Sequence, residues 1–261
     1  MTDLTSFALR LAAAAREQTL PRWVETGDAT NKAGPAGYDP VTAADVEAER
    51  AMRALIEAEY PDHGIVGEEF GTKPGQSRYS WSLDPVDGTR AFVCGLPSWT
   101  TLIALLEDGA PVLGVIDAPR MDELYVGAAD GSRLITASGE QELRCSGCER
   151  LAEARFSTTD PYLFGDLERE VFEQLRAAAR LTRYGFDAYA YARLAAGSLD
   201  LVVESGLKSW DYQALIPVVR GAGGVVGNWR GEDGFSSGQV VAAATPALFE
   251  QAVVLTKPAA V

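Results

Sequence analysis

The chain has 261 residues, of which 47% are hydrophobic and 23% charged, and it carries a formal net charge of −14. This length and composition are typical of a globular protein with one or two domains and room for a core. The acidic charge argues against binding to nucleic acid or to an anionic membrane surface, since both need clustered Lys and Arg.

Hydrophobic periodicity and turn residues predict the elements in chain order. The N-terminal half predicts a helix over Leu4–Leu20, a flexible loop over Glu25–Tyr38 that contains Lys32, a helix from Thr42 to about Tyr60, and strands over Ile65–Gly67, Ser80–Leu83, Thr101–Leu106, Val112–Ile116 and Leu124–Gly127. The C-terminal half predicts a short helix over Glu149–Ala154, a strand over Arg155–Thr158, helices over Leu167–Arg180 and Ala188–Ala196, a strand over Leu199–Glu204, a helix over Trp210–Gly221, strands over Gly223–Trp229 and Val240–Ala244, and a closing helix over Pro246–Leu255.

Two prolines affect the predicted helices. Pro21 is expected to stop the first helix. Pro217 lies inside the predicted helix Trp210–Gly221, where it should bend the helix or leave a carbonyl unpaired. The three strands from Thr101 to Gly127 fit an antiparallel sheet, and layered α and β structure follows, with a division near Thr136–Cys148.

The cysteines and the N-terminus indicate a reducing compartment, and we predict a cytoplasmic protein. Three cysteines, an odd count, argue against a disulfide framework. Cys145 and Cys148 have redox-motif spacing, but with the single distant His63 they cannot build a zinc site, and we interpret the pair as incidental. Charged residues interrupt the Ala-rich N-terminal segment, which suits an amphipathic helix better than a signal peptide, and no run is long and apolar enough to span a bilayer.

The chemistry is concentrated between Trp81 and Thr89. Asp84-Pro85 is expected to end a strand, because proline removes a backbone donor and disfavours helix at the residue before it. Asp87-Gly88 predicts a turn. Two carboxylates then flank one tight turn, followed by the amides of Gly88 and Thr89, an arrangement that suits a divalent cation and a phosphate. A plain surface turn is the alternative interpretation.

Further carboxylates stand at the ends of predicted elements. Asp45 has the alternative role of completing a capping box, and Asp211 that of complementing a helix dipole, worth roughly 0.3–1 kcal/mol. Glu68-Glu69 has the alternative of a solvated strand end. Their joint chemistry favours a site, since the sequence offers no Walker loop, dinucleotide fingerprint or Ser-His-Asp arrangement, and Gly223-Gly224 is interpreted as a helix C-cap. A carboxylate cluster beside amides suits Mg²⁺-assisted phosphate chemistry.

Together these motifs resemble the inositol monophosphatase superfamily of Mg²⁺-dependent, lithium-sensitive phosphatases. The matching motifs are Val41–Asp45, Gly67–Glu69, Asp84–Thr89, Trp210-Asp211 and Ala222–Gly224. They span nearly the whole chain in the family's order. The resemblance implies an α/β layered fold, the family's αβαβα sandwich. It also implies one domain over residues 1–261, with an N-terminal α+β part (1–140) and a C-terminal α/β part (141–261), and assembly as a homodimer.

The resemblance implies two to three Mg²⁺ ions per active site, with Mn²⁺ as a substitute. Glu68, Asp84 and the carbonyl of Val86 would hold the first ion. Asp84 would bridge to a second ion, held also by Asp87 and Asp211. Glu68 would help position a third, weaker ion.

The catalytic residues implied in the same way are Asp45, Thr89 and Glu68. Thr89, paired with Asp45, would orient and deprotonate the metal-bound water for direct in-line attack, with no phosphoenzyme. The amides of Gly88 and Thr89 would bind the phosphate of a small phosphorylated metabolite. The implied substrate-binding set is Asp87, Gly88, Thr89, Arg90, Asp187, Glu204 and Asp211.

Within the superfamily the chain is most similar to the histidinol-phosphate phosphatase branch, which implies a role in histidine biosynthesis. The stretches that carry this similarity are Arg90–Phe92, Gly95–Pro97, Tyr184–Tyr191, Gly206–Asp211 and Ala214–Val219. Pro217 is typical of the branch, whereas Phe186 stands where members often have Gly.

Substrate choice stays open at this point. The ammonium and imidazole of histidinol phosphate would suit Asp187 and Glu204, although Asp187 has an alternative role as N-cap of the helix at Ala188. Inositol hydroxyls could also bond to Glu204, so an inositol-1-phosphate or broader sugar-phosphate phosphatase is the alternative. A non-catalytic regulator that kept the fold is an alternative of another class.

Overall fold

The structure is a computed structural model that describes residues 2–23, 30–31 and 40–261. Its helices are α1 (Thr2–Arg22), α2 (Ala43–Glu59), α3 (Thr89–Val93), α4 (Asp166–Ala178), α5 (Tyr189–Ala195), α6 (Ser209–Tyr212), α7 (Leu215–Gly221) and α8 (Pro246–Thr256). Its strands are β1 (Thr30–Asn31), β2 (Pro40–Val41), β3 (Gly64–Gly67), β4 (Gly71–Lys73), β5 (Tyr79–Asp87), β6 (Thr100–Glu107), β7 (Ala110–Ala118), β8 (Glu123–Ala128), β9 (Gly131–Thr136), β10 (Gly139–Glu142), β11 (Arg155–Thr158), β12 (Leu181–Tyr184), β13 (Leu201–Glu204), β14 (Val225–Gly227) and β15 (Val240–Ala243). Most of the predicted loop, including Lys32, lies outside the described residues.

Two large sheets organise the described residues. The first has the strand order β10-β9-β8-β7-β6-β5-β3-β4 and is antiparallel except where β3 runs parallel to β5. The second has the order β12-β11-β13-β15-β14, with β11 parallel to both of its neighbours. The predicted antiparallel meander is confirmed as β6, β7 and β8.

Three apolar clusters hold five layers together. Helices α1 and α2 pack against one face of the first sheet through buried side chains that include Phe7 and Met52. Helices α5 and α7 fill the space between the two sheets, and α4 and α8 cover the outer face of the second sheet. Along β6, Leu102 faces the middle layer and Ile103 faces α1 and α2, as the period of two in a strand requires. The predicted αβαβα sandwich is confirmed.

Caps and prolines set some of the helix boundaries, but not all. The prediction that Pro21 stops the first helix is wrong, because α1 passes through Pro21 and ends one residue later, at Arg22. Thr42 caps α2, and the Asp45 carboxylate accepts the Thr42 N–H at 2.8 Å, so the predicted capping box is present. The single helix predicted over Trp210–Gly221 is wrong, because the chain breaks between α6 and α7. The break falls four residues before Pro217, where the proline ring would clash with a helical carbonyl.

The cysteines and the histidine take structural positions in the described residues. The thiols of Cys94, Cys145 and Cys148 are all free. The His63 Nδ1 atom accepts a hydrogen bond from the buried Trp81 indole at 3.1 Å. No helix of the described residues combines the length and apolar character needed to cross a membrane.

Candidate active site

Strand β5 carries two predicted acids beyond the point where we predicted it to end. Its register against β6 shifts between Asp84 and Asp87. Pro85 lies within this irregularity, and its carbonyl accepts the Thr101 hydroxyl at 2.7 Å. A bulge tolerates the N–H that proline lacks. The prediction that Asp84-Pro85 terminates the strand is therefore wrong, and the strand continues to Asp87.

The turn after β5 is fixed by one glycine and two local hydrogen bonds. Gly88 has φ +77°, a left-handed conformation that favours glycine, and it caps the short helix α3. The Thr89 hydroxyl donates to the Val86 carbonyl at 2.9 Å. The Asp84 carboxylate accepts the Val86 N–H at 3.1 Å. The turn therefore holds the Gly88 and Thr89 amides directly beside the two acids.

Glu68 reaches the same place from strand β3. Because β3 is parallel to β5, Gly67 lies opposite Leu83, and the Glu68 N–H donates to the Leu83 carbonyl at 3.2 Å. Glu68 therefore follows the last residue of β3 at the level where Asp84 follows Leu83 in β5. The Glu69 N–H instead donates to the buried Glu49 carboxylate of α2 at 2.7 Å.

The middle-layer helices bring in the C-terminal acids. Asp211 lies in the first turn of α6, and one carboxylate oxygen accepts the Lys208 N–H at 2.7 Å. The Asp87 carboxylate accepts the Ala188 N–H at the start of α5 at 2.8 Å. Asp211 therefore stands in the first turn of α6, where its alternative role of complementing the helix dipole would place it, and the Lys208 contact fixes the carboxyl within the site.

Asp187 is held in a conformation rare for its residue type. Its φ is +46°. The N-cap of α5 is Ala188, and no side-chain hydrogen bond caps this helix in the described structure. The alternative role of Asp187 as the N-cap is therefore wrong. A carboxylate oxygen of Asp187 lies 3.0 Å from the position that a Cβ would take on Gly88. The Asp187 carboxylate is therefore packed against the turn after β5.

Glu204 ends strand β13 and is 4% exposed. Its carboxylate accepts hydrogen bonds from the Thr159 N–H at 2.7 Å, the Thr159 hydroxyl at 2.9 Å and the Thr158 hydroxyl at 3.2 Å. These bonds come from the end of β11, the parallel neighbour of β13. They fix the orientation of the carboxylate.

The acids that these elements position line one cavity of about 270 Å³. The predicted metal and substrate residues in its lining are Glu68, Asp84, Val86, Asp87, Gly88, Thr89, Arg90, Asp187, Glu204 and Asp211. Asp45 is 1% exposed and is absent from this lining, but its charge contributes to raising the pKa of Asp84. Acids from both halves of the chain therefore converge on one cavity, as the resemblance requires.

The cavity concentrates negative charge away from water. Burial, followed by the charge of Glu68, raises the pKa of Asp84 well above its usual range. Burial likewise raises the pKa of Asp211 to about 7 and that of Asp187 to about 6, although Arg90 opposes the latter shift. Buried carboxylates with like-charged neighbours ionise readily only when cations offset them. The site therefore favours bound positive charge.

Comparison of the sequence with known proteins identifies the family of the chain. The sequence profile of the inositol monophosphatase family matches residues 1–257. The chain belongs to the inositol monophosphatase family. Members are metal-dependent phosphoric monoester hydrolases, and the chain is a phosphatase of this class.

Individual members of the family differ in the substrate that their names give. A chloroplastic bifunctional phosphatase of Arabidopsis thaliana is 44% identical over 195 residues, which cover 74% of this chain and 56% of that protein. A histidinol-phosphatase of Chlorobaculum parvum is 35% identical over 209 residues, 80% of each chain. The solved structure of an inositol monophosphatase from Zymomonas mobilis is 40% identical, covers 98% of both chains and superposes with a TM-score of 0.85.

The donor set fits the metal dependence of the inositol monophosphatase family. The acids of the cavity offer only carboxylate oxygens, and Val86 adds a carbonyl, which are the hard ligands that Mg²⁺ prefers. In residues 2–23, 30–31 and 40–261, no three His, Cys, Asp or Glu side chains stand close enough together to hold a metal ion as they are placed. The acids surround the cavity, and cations would draw them together by offsetting their repulsion.

One contact implied by the resemblance is not formed. The Thr89 hydroxyl donates to the Val86 carbonyl, whereas Asp45 accepts from the Thr42 hydroxyl at 2.6 Å. No hydrogen bond joins Thr89 to Asp45 in the described part of the chain. Burial raises the pKa of Asp45 to about 6, so this carboxyl is suited to exchange a proton near neutral pH.

Sequence reasoning missed three groups around the cavity. Thr158 and Thr159, which hold Glu204, could have been found from the parallel strand ends, had the pairing of β11 with β13 been known. Tyr191 lies three residues after Ala188, on the same face of α5, and both line the cavity. Helical spacing alone did not distinguish Tyr191 from an ordinary core residue.

Proposed function

We propose that the chain is a Mg²⁺-dependent histidinol-phosphate phosphatase, which hydrolyses L-histidinol phosphate to L-histidinol and phosphate. The observation that carries this proposal is a pair of carboxyls, the half-buried Asp187 and the buried Glu204, that lines the cavity beside the Gly88 turn. Burial raises the pKa of Glu204 to about 8. A bound ammonium would favour the charged form and lower that pKa, so the pocket suits a cationic substrate.

The metal ligands in this proposal are Glu68, Asp84, Asp87, Asp211 and the Val86 carbonyl. They would hold two to three Mg²⁺ ions, with Mn²⁺ as a substitute. When bound, these ions supply charge that stabilises the phosphate oxygens and acidifies water. Asp84 would be shared between two ions, because it follows the core of β5 between Glu68 and Asp87.

The turn after β5 would bind the substrate phosphate and help to remove a proton from the attacking water. The Gly88 and Thr89 amides would bind the phosphate. Rotation of the Thr89 hydroxyl away from the Val86 carbonyl would let it pass a proton toward Asp45, whose pKa of about 6 suits a base. Water then attacks the phosphorus directly, with no phosphoenzyme, as the ester P–O bond breaks and the departing alkoxide takes a proton from solvent water. Arg90 lines the same cavity.

The names of the relatives support histidinol phosphate as the substrate and leave inositol phosphate as the alternative. The names of the Chlorobaculum protein and the Zymomonas protein point to histidinol phosphate and inositol phosphate respectively. Glu204 could also accept a hydrogen bond from an inositol hydroxyl, so an inositol-1-phosphate phosphatase is the second candidate. The complete acid set argues against a non-catalytic regulator. We further propose a lithium-sensitive, cytoplasmic homodimer that acts in histidine biosynthesis.

Phosphate release with and without Mg²⁺ tests the activity, and kcat/KM on L-histidinol phosphate and inositol 1-phosphate tests the substrate. We expect Mg²⁺-dependent release and a preference for histidinol phosphate of about tenfold or more, the equivalent of one good contact. A preference for inositol 1-phosphate would reverse the substrate assignment. The absence of release from every monoester in the presence of Mg²⁺ would contradict the activity.

Glu204→Gln is expected to change substrate preference more than metal affinity. The substitution removes the charge that would attract an ammonium, so kcat/KM on L-histidinol phosphate should fall about tenfold relative to inositol 1-phosphate. The Mg²⁺ concentration for half-maximal activity should change by less than about twofold, since Glu204 holds no ion in this proposal. Glu123→Gln, which alters a carboxyl bonded to Tyr125 outside the cavity, is the matched control. Unchanged selectivity would remove Glu204 from the ammonium site.

A further inference from the structure

The side chain of Tyr191 is buried with an unpaired hydroxyl. Tyr191 is 1% exposed, and its hydroxyl has no hydrogen-bond partner among the described residues. Two nearby tyrosines behave differently, because the hydroxyls of Tyr125 and Tyr189 both donate to Glu123, at 2.6 and 2.8 Å. Buried tyrosine hydroxyls usually find a partner. The unpaired group on α5 therefore indicates a partner that is not part of the chain.

The position of Tyr191 indicates where that partner binds. Tyr191 lines the same cavity as Glu204, Asp87 and Asp211. Burial and then the charges of these three carboxylates raise its pKa well above the usual range, so the hydroxyl stays protonated. A protonated phenol can donate one hydrogen bond and accept others. It therefore offers the cavity a polar atom without adding negative charge.

We propose that Tyr191 is a specificity-determining residue whose hydroxyl oxygen binds the ammonium of an amino-alcohol phosphate, together with Asp187 and Glu204. The inference rests on the proposed phosphatase function and adds a third acceptor to its substrate site. An ammonium has three N–H donors and is best satisfied by three acceptors. The Glu204 carboxylate accepts three hydrogen bonds from threonines, which leaves one of its roughly four lone-pair positions for the substrate.

The geometry of the turn fits an ammonium close to the ester. In L-histidinol phosphate the amino group is on the carbon next to the CH₂–O–P carbon. A phosphate on the Gly88 amide would therefore bring the ammonium near the Asp187 carboxylate, which is packed against Gly88. Asp187 lies just before α5 and Tyr191 lies on it, and both residues line the same cavity. The three acceptors would then surround one nitrogen.

Tyr191→Phe tests this role, assayed on L-histidinol phosphate and on 3-(imidazol-4-yl)propyl phosphate, the same ester without the amino group. We expect KM for L-histidinol phosphate to rise about tenfold with kcat within about twofold, because uniform binding is lost and the reacting groups are untouched. Neither constant should change beyond about twofold for the desamino ester. The thermal midpoint should not fall, since the hydroxyl removed has no partner in the described chain.

Tyr189→Phe is the matched control, because it removes a hydroxyl on the same helix that is bonded to Glu123 instead of lining the cavity. It should leave both constants unchanged for both esters. Equal losses of Tyr191→Phe on the two esters, a loss confined to kcat, or no change would each overturn the inference. A wild-type protein that hydrolyses both esters equally well would overturn the ammonium site and leave the phosphatase intact. A wild-type protein that hydrolyses neither would overturn both proposals.

Discussion

Replacing Asp84 by Asn is expected to lower kcat/KM for phosphate release by about 10³-fold or more, the scale on which removal of a principal electrostatic contact reduces catalysis. Asp84 is 2% exposed and lies in the β5 bulge, where Glu68 and Asp87 reach the same cavity. The substitution removes one negative charge from the ligand proposed to be shared by two Mg²⁺ ions. Phosphate assays over a range of Mg²⁺ concentrations, together with calorimetric Mg²⁺ titration, measure the two consequences separately.

A measurement of the free energy of unfolding distinguishes the loss of a metal ligand in Asp84→Asn from misfolding. Burial and then the neighbouring acids already disfavour the charged form of Asp84, which raises its pKa. An amide at this position should therefore leave the free energy of unfolding without Mg²⁺ unchanged or increased. Asp130→Asn, at an exposed carboxyl that does not line the cavity, is the matched control and should retain full activity. Activity of Asp84→Asn close to that of the wild type would contradict the metal assignment.

The local features of the site could be predicted because each is specified by a few adjacent residues. Thr42 and Asp45 predicted a capping box, and the structure forms it. Asp87-Gly88 predicted a turn, and Gly88 takes the left-handed conformation expected there. The prediction that the strand ends at Asp84-Pro85 was wrong, because pairing with the neighbouring strand determines whether a strand continues past a proline. Here Thr101 of β6 bonds the Pro85 carbonyl and the strand continues.

Elements with little apolar character could not be predicted. The four residues of β10 are all exposed, and β4 is also largely exposed, so neither shows the alternation that marks a half-buried strand. The contacts of Glu204 with Thr158 and Thr159 depend on strand order in the second sheet, which no local pattern specifies. The unpaired hydroxyl of Tyr191 is likewise a property of the packed molecule.

Gly127→Ala is expected to lower the free energy of unfolding by about 3 kcal/mol, the upper part of the usual range for overpacking. A Cβ on Gly127 of β8 would come within 3.0 Å of the Val218 Cα and the Pro217 carbonyl oxygen, closer than real Cβ atoms approach. Both obstacles are backbone atoms of α7, so a side-chain rotation cannot relieve the clash. The thermal midpoint should fall by about 6–12 °C for that loss in a chain of this size.

The same change should also weaken the active site, because α7 follows α6, which carries Asp211. A shift of α7 away from the sheet should raise the Mg²⁺ concentration needed for half-maximal activity, whereas a purely global loss of stability would not at a temperature where the variant stays folded. Gly147→Ala is the matched control, since a Cβ there meets no atom within 4 Å and no left-handed φ is required. It should change the unfolding free energy by less than about 1 kcal/mol. If Gly127→Ala unfolded at the wild-type temperature with unchanged Mg²⁺ dependence, the close seating of α7 would not be what positions Asp211.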